Sequence, residues 1–259
     1  MIRSIAITLL LGLASGCSTL KSWMPGVLEG EDNTAPPTAL TPVESPVKLT
    51  RRWSRDIGVG FDEYNLSLRP AVRDGRVYAA DREGRVVALD TLSGDELWTV
   101  KTGAALSAGP GIGEGLVLLG TSNAQIIALD ADDGTEQWRA EVSSEVLSVP
   151  QTDFEKVIVQ TADGNVTALA ASDGESLWIY DRSVPVLTLR GTSTPAVQQG
   201  VVVAGFSSGK LVALDAERGL VAWEASVAIP KGRSELERIV DIDGNPVVAG
   251  GAVFVTTYQ

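Results

Sequence analysis

The chain contains no histidine, and its one cysteine is Cys17. Without imidazole or a second thiol it can assemble neither a Ser-His-Asp triad nor a Cys-His pair. Zinc sites of the usual ligand sets lack donors, and an intrachain disulfide cannot form. Basic residues are also scarce: 21 Lys and Arg stand against 33 Asp and Glu, a formal charge of −12. That balance argues against nucleic acid as a partner, because phosphate binding needs a surplus of cations. What stays chemically open is carboxylate, lysine or tyrosine chemistry, or an organic cofactor.

Long apolar runs are missing too, apart from a short one at the start. Met1 to Arg3 form a positive entry, Ser4 to Leu13 are mostly apolar, and Ala14-Ser15-Gly16 are small residues directly before Cys17. The run is too short to span a bilayer and reads as a secretory signal, residues 1–16, ending in a lipobox whose Cys17 is acylated. The place three residues before the cysteine, commonly Leu, holds Ala14, and Leu13 lies one further back. The competing reading is an ordinary signal peptide with a leftover thiol. Cleavage removes Arg3 and no acidic residue, leaving 20 basic residues against 33 acidic. Ser18 follows the cysteine where lipoproteins kept at the inner membrane resemble one another in an aspartate, so the outer membrane is expected. Residues 17–50 then read as a lipidated, Pro-rich tether, with Pro25, Pro36, Pro37, Pro42 and Pro46 among polar residues and no apolar periodicity.

From residue 51 onward the chain repeats. Ala88-Leu89-Asp90, Gly94 and Trp98 recur as Ala128-Leu129-Asp130, Gly134 and Trp138, as Ala168-Leu169-Ala170, Gly174 and Trp178, and as Ala213-Leu214-Asp215, Gly219 and Trp223. Short β-branched runs bounded by turn residues precede each motif, such as Val77-Tyr78-Ala79-Ala80 and Val201-Val202-Val203-Ala204. Strand, hairpin, strand, tight turn and Trp-bearing outer strand in units of about 40 residues describe a propeller blade. The fold class is therefore all-β, a β-propeller of four-stranded blades over residues 51–259. Within each unit the Asp is expected to bond the backbone of the following turn, the Gly to supply a positive φ, and the Trp to fill the space between blades. Asp130-Ala131-Asp132-Asp133-Gly134 reads as such a turn and not as a calcium loop, since the acidic spacing and the downstream Glu are wrong.

About four and a half blades are present. Gly251-Ala252-Val253-Phe254-Val255 aligns with Gly75-Arg76-Val77-Tyr78-Ala79, so a fifth unit begins near the end. Trp53 has no Ala-Leu-Asp before it, as expected of a lone outer strand completing the last blade of a ring. Exposed sheet edges are avoided by soluble proteins, so a fragment or truncated gene model lacking on the order of 130 residues is expected.

Certain segments are more specific than blade motifs. Leu66-Ser67-Leu68-Arg69-Pro70-Ala71-Val72, Leu187-Thr188-Leu189-Arg190-Gly191 and Arg238-Ile239-Val240-Asp241-Ile242-Asp243-Gly244-Asn245-Pro246 resemble the BamB family of outer-membrane lipoproteins. That resemblance implies an eight-bladed propeller without catalytic activity or cofactor, a scaffold that binds the POTRA domains of the barrel-forming assembly subunit. Unfolded outer-membrane protein clients are a further implied partner.

Spacing supports a binding face independently. Trp98 to Gly115 is 17 residues, but Trp178 to Gly200 is 22 and Trp223 to Gly251 is 28. Both excesses fall between an outer strand and the next inner strand, connections that an up-and-down blade places on one face. The first enlarged loop carries Leu187, Leu189 and Arg190 and the second Asp241 and Asp243, the residues to which the resemblance assigns the partner contact. The alternative is that the leucines begin the inner strand and face the core while Arg190 pairs with the aspartates. A rival from another class also exists. Quinoprotein dehydrogenases resemble this chain in their Ala-x-Asp-x-x-x-Gly-x-x-x-Trp repeat, but the vicinal Cys-Cys pair in which those enzymes resemble one another does not occur here. A propeller lipoprotein scaffolding another envelope complex is the third possibility.

Overall fold

The computed structural model describes residues 47–60 and 66–258. The signal segment, Cys17 and nearly all of the tether lie outside the described residues. The chain divides into Met1–Thr50 and Arg51–Gln259. Of the former, residues 47–50 are exposed and without regular structure.

Repeating sequence becomes repeating sheets. The first blade is β2 (Ala71–Arg73), β3 (Arg76–Ala80), β4 (Arg85–Asp90) and β5 (Glu96–Lys101), hydrogen-bonded in that order. The second is β6 (Leu106–Gly113), β7 (Leu116–Thr121), β8 (Gln125–Asp130) and β9 (Glu136–Glu141). A two-residue strand, β1 (Ser67–Leu68), joins its inner edge in parallel with β6. The third is β10 (Gln151–Asp153), β11 (Lys156–Gln160), β12 (Val166–Ala170) and β13 (Ser176–Tyr180). The fourth is β14 (Ala196–Gln198), β15 (Val201–Gly205), β16 (Lys210–Asp215) and β17 (Val221–Ser226). A two-stranded sheet, β18 (Val247–Ala249) and β19 (Ala252–Phe254), begins a fifth. Apart from β1, the neighbours within each sheet run antiparallel, and four-stranded blades are what the repeat predicts.

Apolar runs in the middle strands are continuous, not alternating, because both faces of each complete blade are covered. The second to fourth are covered by a blade on either side, and the first by the second blade and by Trp53 and Ile57. Alternate residues of one strand serve opposite neighbours. Val86 and Ala88 join Val117, Leu119 and Ile127 of the second blade in one cluster. Val87 and Leu89 face the other way, against Trp53 and Ile57. The same logic places Leu118, Ile126 and Ala128 against Val157, Val159 and Leu169. It places Ile158, Val166 and Ala168 against Val202, Val212 and Leu214.

Tryptophan and glycine of the repeat are one device shared by two blades. The indole N–H of Trp98 donates to the Ala131 carbonyl at 3.1 Å, that of Trp138 to Ala171 at 2.7 Å and that of Trp178 to Ala216 at 3.0 Å. Each ring lies over the turn glycine of the following blade. A Cβ on Gly134, Gly174 or Gly219 would stand 2.6–2.7 Å from a ring carbon of the Trp covering it, and all three glycines have φ between 69° and 79°. Glycine is thus required twice over, for the left-handed backbone and for the space. Asp90 accepts from the Leu92 and Ser93 N–H groups at 2.8 Å, and Asp130 and Asp215 act alike. At Ala170, where the aspartate is missing, the turn closes all the same through the Gly174 N–H to the Ala170 carbonyl.

Trp53 follows the rule as a ring but not as a strand. It donates to the Thr91 carbonyl at 3.0 Å and covers Gly94, while residues 51–57 form no strand. A strand needs a hydrogen-bonded neighbour, whereas docking the ring needs only the blade it covers.

Candidate functional site

Connections between outer and inner strands lengthen along the chain, from residues 102–105 through 142–150 and 181–195 to 227–246. All four leave the same ends of their blades, since every blade repeats one strand order. The two longest are tied to each other. Asp241 Oδ2 accepts the Leu189 N–H at 2.7 Å, and Thr194 N–H donates to Asn245 Oδ1 at 2.8 Å.

Asp241 departs from the expectation of a surface contact: it is only 1 % exposed. The reason lies in its neighbours. Ile239, Val240 and Ile242 are buried, and Ile242 packs with Val203, Leu211 and Ala213 of the fourth blade. The segment is pinned by Ile242 N–H to the Phe206 carbonyl and Tyr258 N–H to the Asp241 carbonyl. Asp241 therefore acts from inside, holding the backbone that carries the leucines. Asp243 is exposed as a residue, with its carboxylate beside Gly191, where a Cβ would stand 3.0 Å from Oδ1.

The leucines do not begin a strand, since β14 starts at Ala196. Leu187 is 42 % exposed, and Leu189 is half-buried. Arg190 pairs with Glu145 of the preceding blade's connection at 2.6 Å. With half of the Arg190 side chain in solvent, that pair contributes at most about 1 kcal/mol. Sequence reasoning passed over Val184 and Val186, which are 42 % and 96 % exposed beside Leu187. Their signal was present in Val184-Pro185-Val186-Leu187, an apolar stretch with a proline inside a connection. Glu145 carried no such signal, because an ion pair between connections is a product of the fold.

Between these connections open two small cavities of about 250 and 280 Å³. Arg69, Thr192, Thr194 and Asn245 line one; Arg82, Ser122, Glu145 and Arg190 line the other. Among the described residues no three of His, Cys, Asp or Glu converge as a metal site.

Burial pushes the Asp241 carboxyl up to about 6; the negative charge of Asp243 adds to the rise and the Leu189 N–H opposes it. Asp241 Oδ1 is buried without a hydrogen-bond partner among the described residues, so no donor offsets the burial of a charge at that oxygen. Because the folded pKa lies above the ordinary 3.8, the folded state holds the proton more tightly. Stability from this group is complete below pH 4 and is lost as pH rises through 6, about 3 kcal/mol at most. Thermal unfolding between pH 4.5 and 7.5 should therefore show a steeper decline for the native chain than for Asp241→Asn. Parallel curves would refute the assignment.

A family model described as "Outer membrane protein assembly factor BamB" matches residues 50–106 and 82–259. The protein of that name from Pseudomonas aeruginosa is 58 % identical over 225 residues, covering 86 % of this chain and 59 % of that protein. BamB from Moraxella catarrhalis, a solved structure, matches with a TM-score of 0.70 at 28 % identity, covering 77 % of this chain and 60 % of that one. Quinohemoprotein alcohol dehydrogenase from Comamonas testosteroni matches with a TM-score of 0.52 at 18 % identity, over 74 % of this chain and 39 % of the enzyme. That last likeness is one of fold alone. The chain spans about three fifths of the length of the Pseudomonas relative.

Proposed function

Because this chain belongs to the BamB family of outer membrane protein assembly factors, we propose that it is a non-enzymatic scaffold of the outer-membrane assembly machinery. In this reading it binds the POTRA domains of the barrel-forming subunit and assists insertion of β-barrel proteins, whose unfolded forms are a further partner. What supports the partner surface is a single arrangement: an apolar, solvent-facing stretch with an adjacent arginine, held in place by the bond from the Leu189 N–H to the buried Asp241 carboxylate. Apolar anchors with an arginine beside them are typical centres of protein interfaces. Leu187, Leu189 and Arg190 make the contact, Asp241 positions them, and Asp243 stands at the rim. The experiment that tests this is co-purification of the POTRA-bearing subunit with the native protein and with a variant altered at Leu187, Leu189 and Arg190.

Anchoring belongs to the same proposal. An acyl chain on Cys17 would hold the protein at the periplasmic face of the outer membrane, since lipidation at a signal-peptide boundary places a soluble domain on a membrane without a span. Cys17→Ser should move the protein from the outer-membrane fraction to the soluble periplasm. Continued sedimentation with the membrane in detergent-free buffer would sink the anchor.

A further inference from the structure

The outermost strands of the four complete blades occupy equivalent places, and three of them are guarded by charge. In the first blade Arg85 on β4 reaches Glu96 on β5. In the second, Arg139 pairs with Glu136 along β9. In the fourth, Lys210 on β16 pairs with Glu224 on β17. Charged side chains on an edge strand discourage another strand from adding to it, because pairing would strip their water.

β13 lacks that protection. Cross-strand register places Ile179 where Thr99, Arg139 and Glu224 stand, opposite Thr167, Val87, Ile127 and Val212 respectively. Ser176 stands where Glu96 and Glu136 do, and Asn165, just before β12, where Arg85 and Lys210 do. Leu177 and Ile179 are 47 % and 59 % exposed, while Trp178 and Tyr180 turn inward onto the cluster shared with the fourth blade. The nearest following cation, Arg182, is committed elsewhere: it pairs with Glu224 at 2.8 Å, reaches the Tyr180 hydroxyl and lies over the Phe206 ring. What flanks the strand is acidic and exposed, Asp173 and Glu175 before it and Asp181 after it.

We propose that the free edge of β13 is a strand-addition site for an extended peptide with alternating apolar residues and a lysine or arginine at each end. Backbone N–H and C=O groups of an edge strand supply the affinity, and alternate side chains supply the choice of partner. A second copy of the chain fits poorly. Antiparallel self-pairing about Trp178 would set Glu175 against Asp181, and like charges directly opposite are unfavourable. Cations at the ends of the incoming strand meet the same carboxylates with the opposite sign. Only Asp181 is shared with the connection assigned to the POTRA contact, and none of Leu187, Leu189, Arg190, Asp241 or Asp243 lies on this edge, so either assignment can fail alone.

The probe is a fluorescent peptide, Lys-Thr-Val-Thr-Val-Thr-Lys, titrated into the full chain and followed by anisotropy. Saturable binding is expected, with a Glu-ended counterpart about tenfold weaker from the reversal of two end pairs. Ile179→Lys should weaken the Lys-ended peptide about tenfold without moving the melting temperature, since the side chain is exposed. Methylating alternate peptide nitrogens should abolish binding to the native chain, which keeps the test decisive even if the variant misfolds. No saturable binding, equal binding of the two end charges, equal binding of the methylated peptide, or undiminished binding to folded Ile179→Lys would each overturn the proposal.

Discussion

Trp138→Ala is expected to cost about 3–5 kcal/mol of folding stability, the range for truncating a buried aromatic. The ring is 7 % exposed, its N–H satisfies the Ala171 carbonyl at 2.7 Å, and its face covers Gly174. Removing it opens a void between two blades, leaves the Ala171 carbonyl without its donor and uncovers the turn at Gly174. Trp223 is the internal control. It carries the same motif, but these 259 residues include no following Ala-Leu-Asp turn for it to cover and it is 39 % exposed beside Leu211, Val247 and Val253, so in this chain Trp223→Ala should cost about 1 kcal/mol. Chemical denaturation followed by circular dichroism compares the two. Equal losses would mean that the tryptophans stabilise their own strands and do not lock neighbouring blades.

Coupling sharpens the comparison. Gly174→Ala alone should be strongly destabilising, because its φ of 78° disfavours a side chain and its Cβ would strike Trp138. In the Trp138→Ala background the steric part of that cost disappears while the backbone part remains.

Much of the propeller was legible in the sequence, for a physical reason. Ala-Leu-Asp, Gly and Trp each satisfy a local demand of a strand or a turn, and local demands leave residue signatures. Which blade a tryptophan serves is not local, so the seating of Trp98 over Gly134 and of Trp53 over Gly94 emerged only from the structure. Asp241 shows the limit most clearly. Asp-Ile-Asp in a long connection reads as solvent-facing, yet Ile239, Val240 and Ile242 draw the segment into the fourth blade and take the first carboxylate with them. Arg190 likewise found Glu145 in the preceding connection, a partner 45 positions away in sequence.

The proposed partner surface carries the second large effect. Leu187, Leu189 and Arg190 lie together on the connection after β13, and Val186 extends the exposed apolar area beside them. Interface energy concentrates in a few such central residues, and truncating three at once should remove about 3 kcal/mol or more, a loss of at least about a hundredfold in affinity. Stability should change little by comparison, because Leu187 and Arg190 are exposed and the Glu145 ion pair is worth little. Asp241→Ala should weaken binding for a different reason: the Leu189 N–H loses its acceptor and the loop its fixed course.

The decisive measurement is co-purification of the POTRA-bearing subunit with the protein carrying Leu187→Ala, Leu189→Ala and Arg190→Ala together, alongside circular dichroism of the same preparation. The scaffold reading expects a folded β-sheet spectrum and no retained subunit. A folded variant that still retains the subunit would place the contact on some other surface, and a variant that loses its fold together with its partner would make these leucines part of the core.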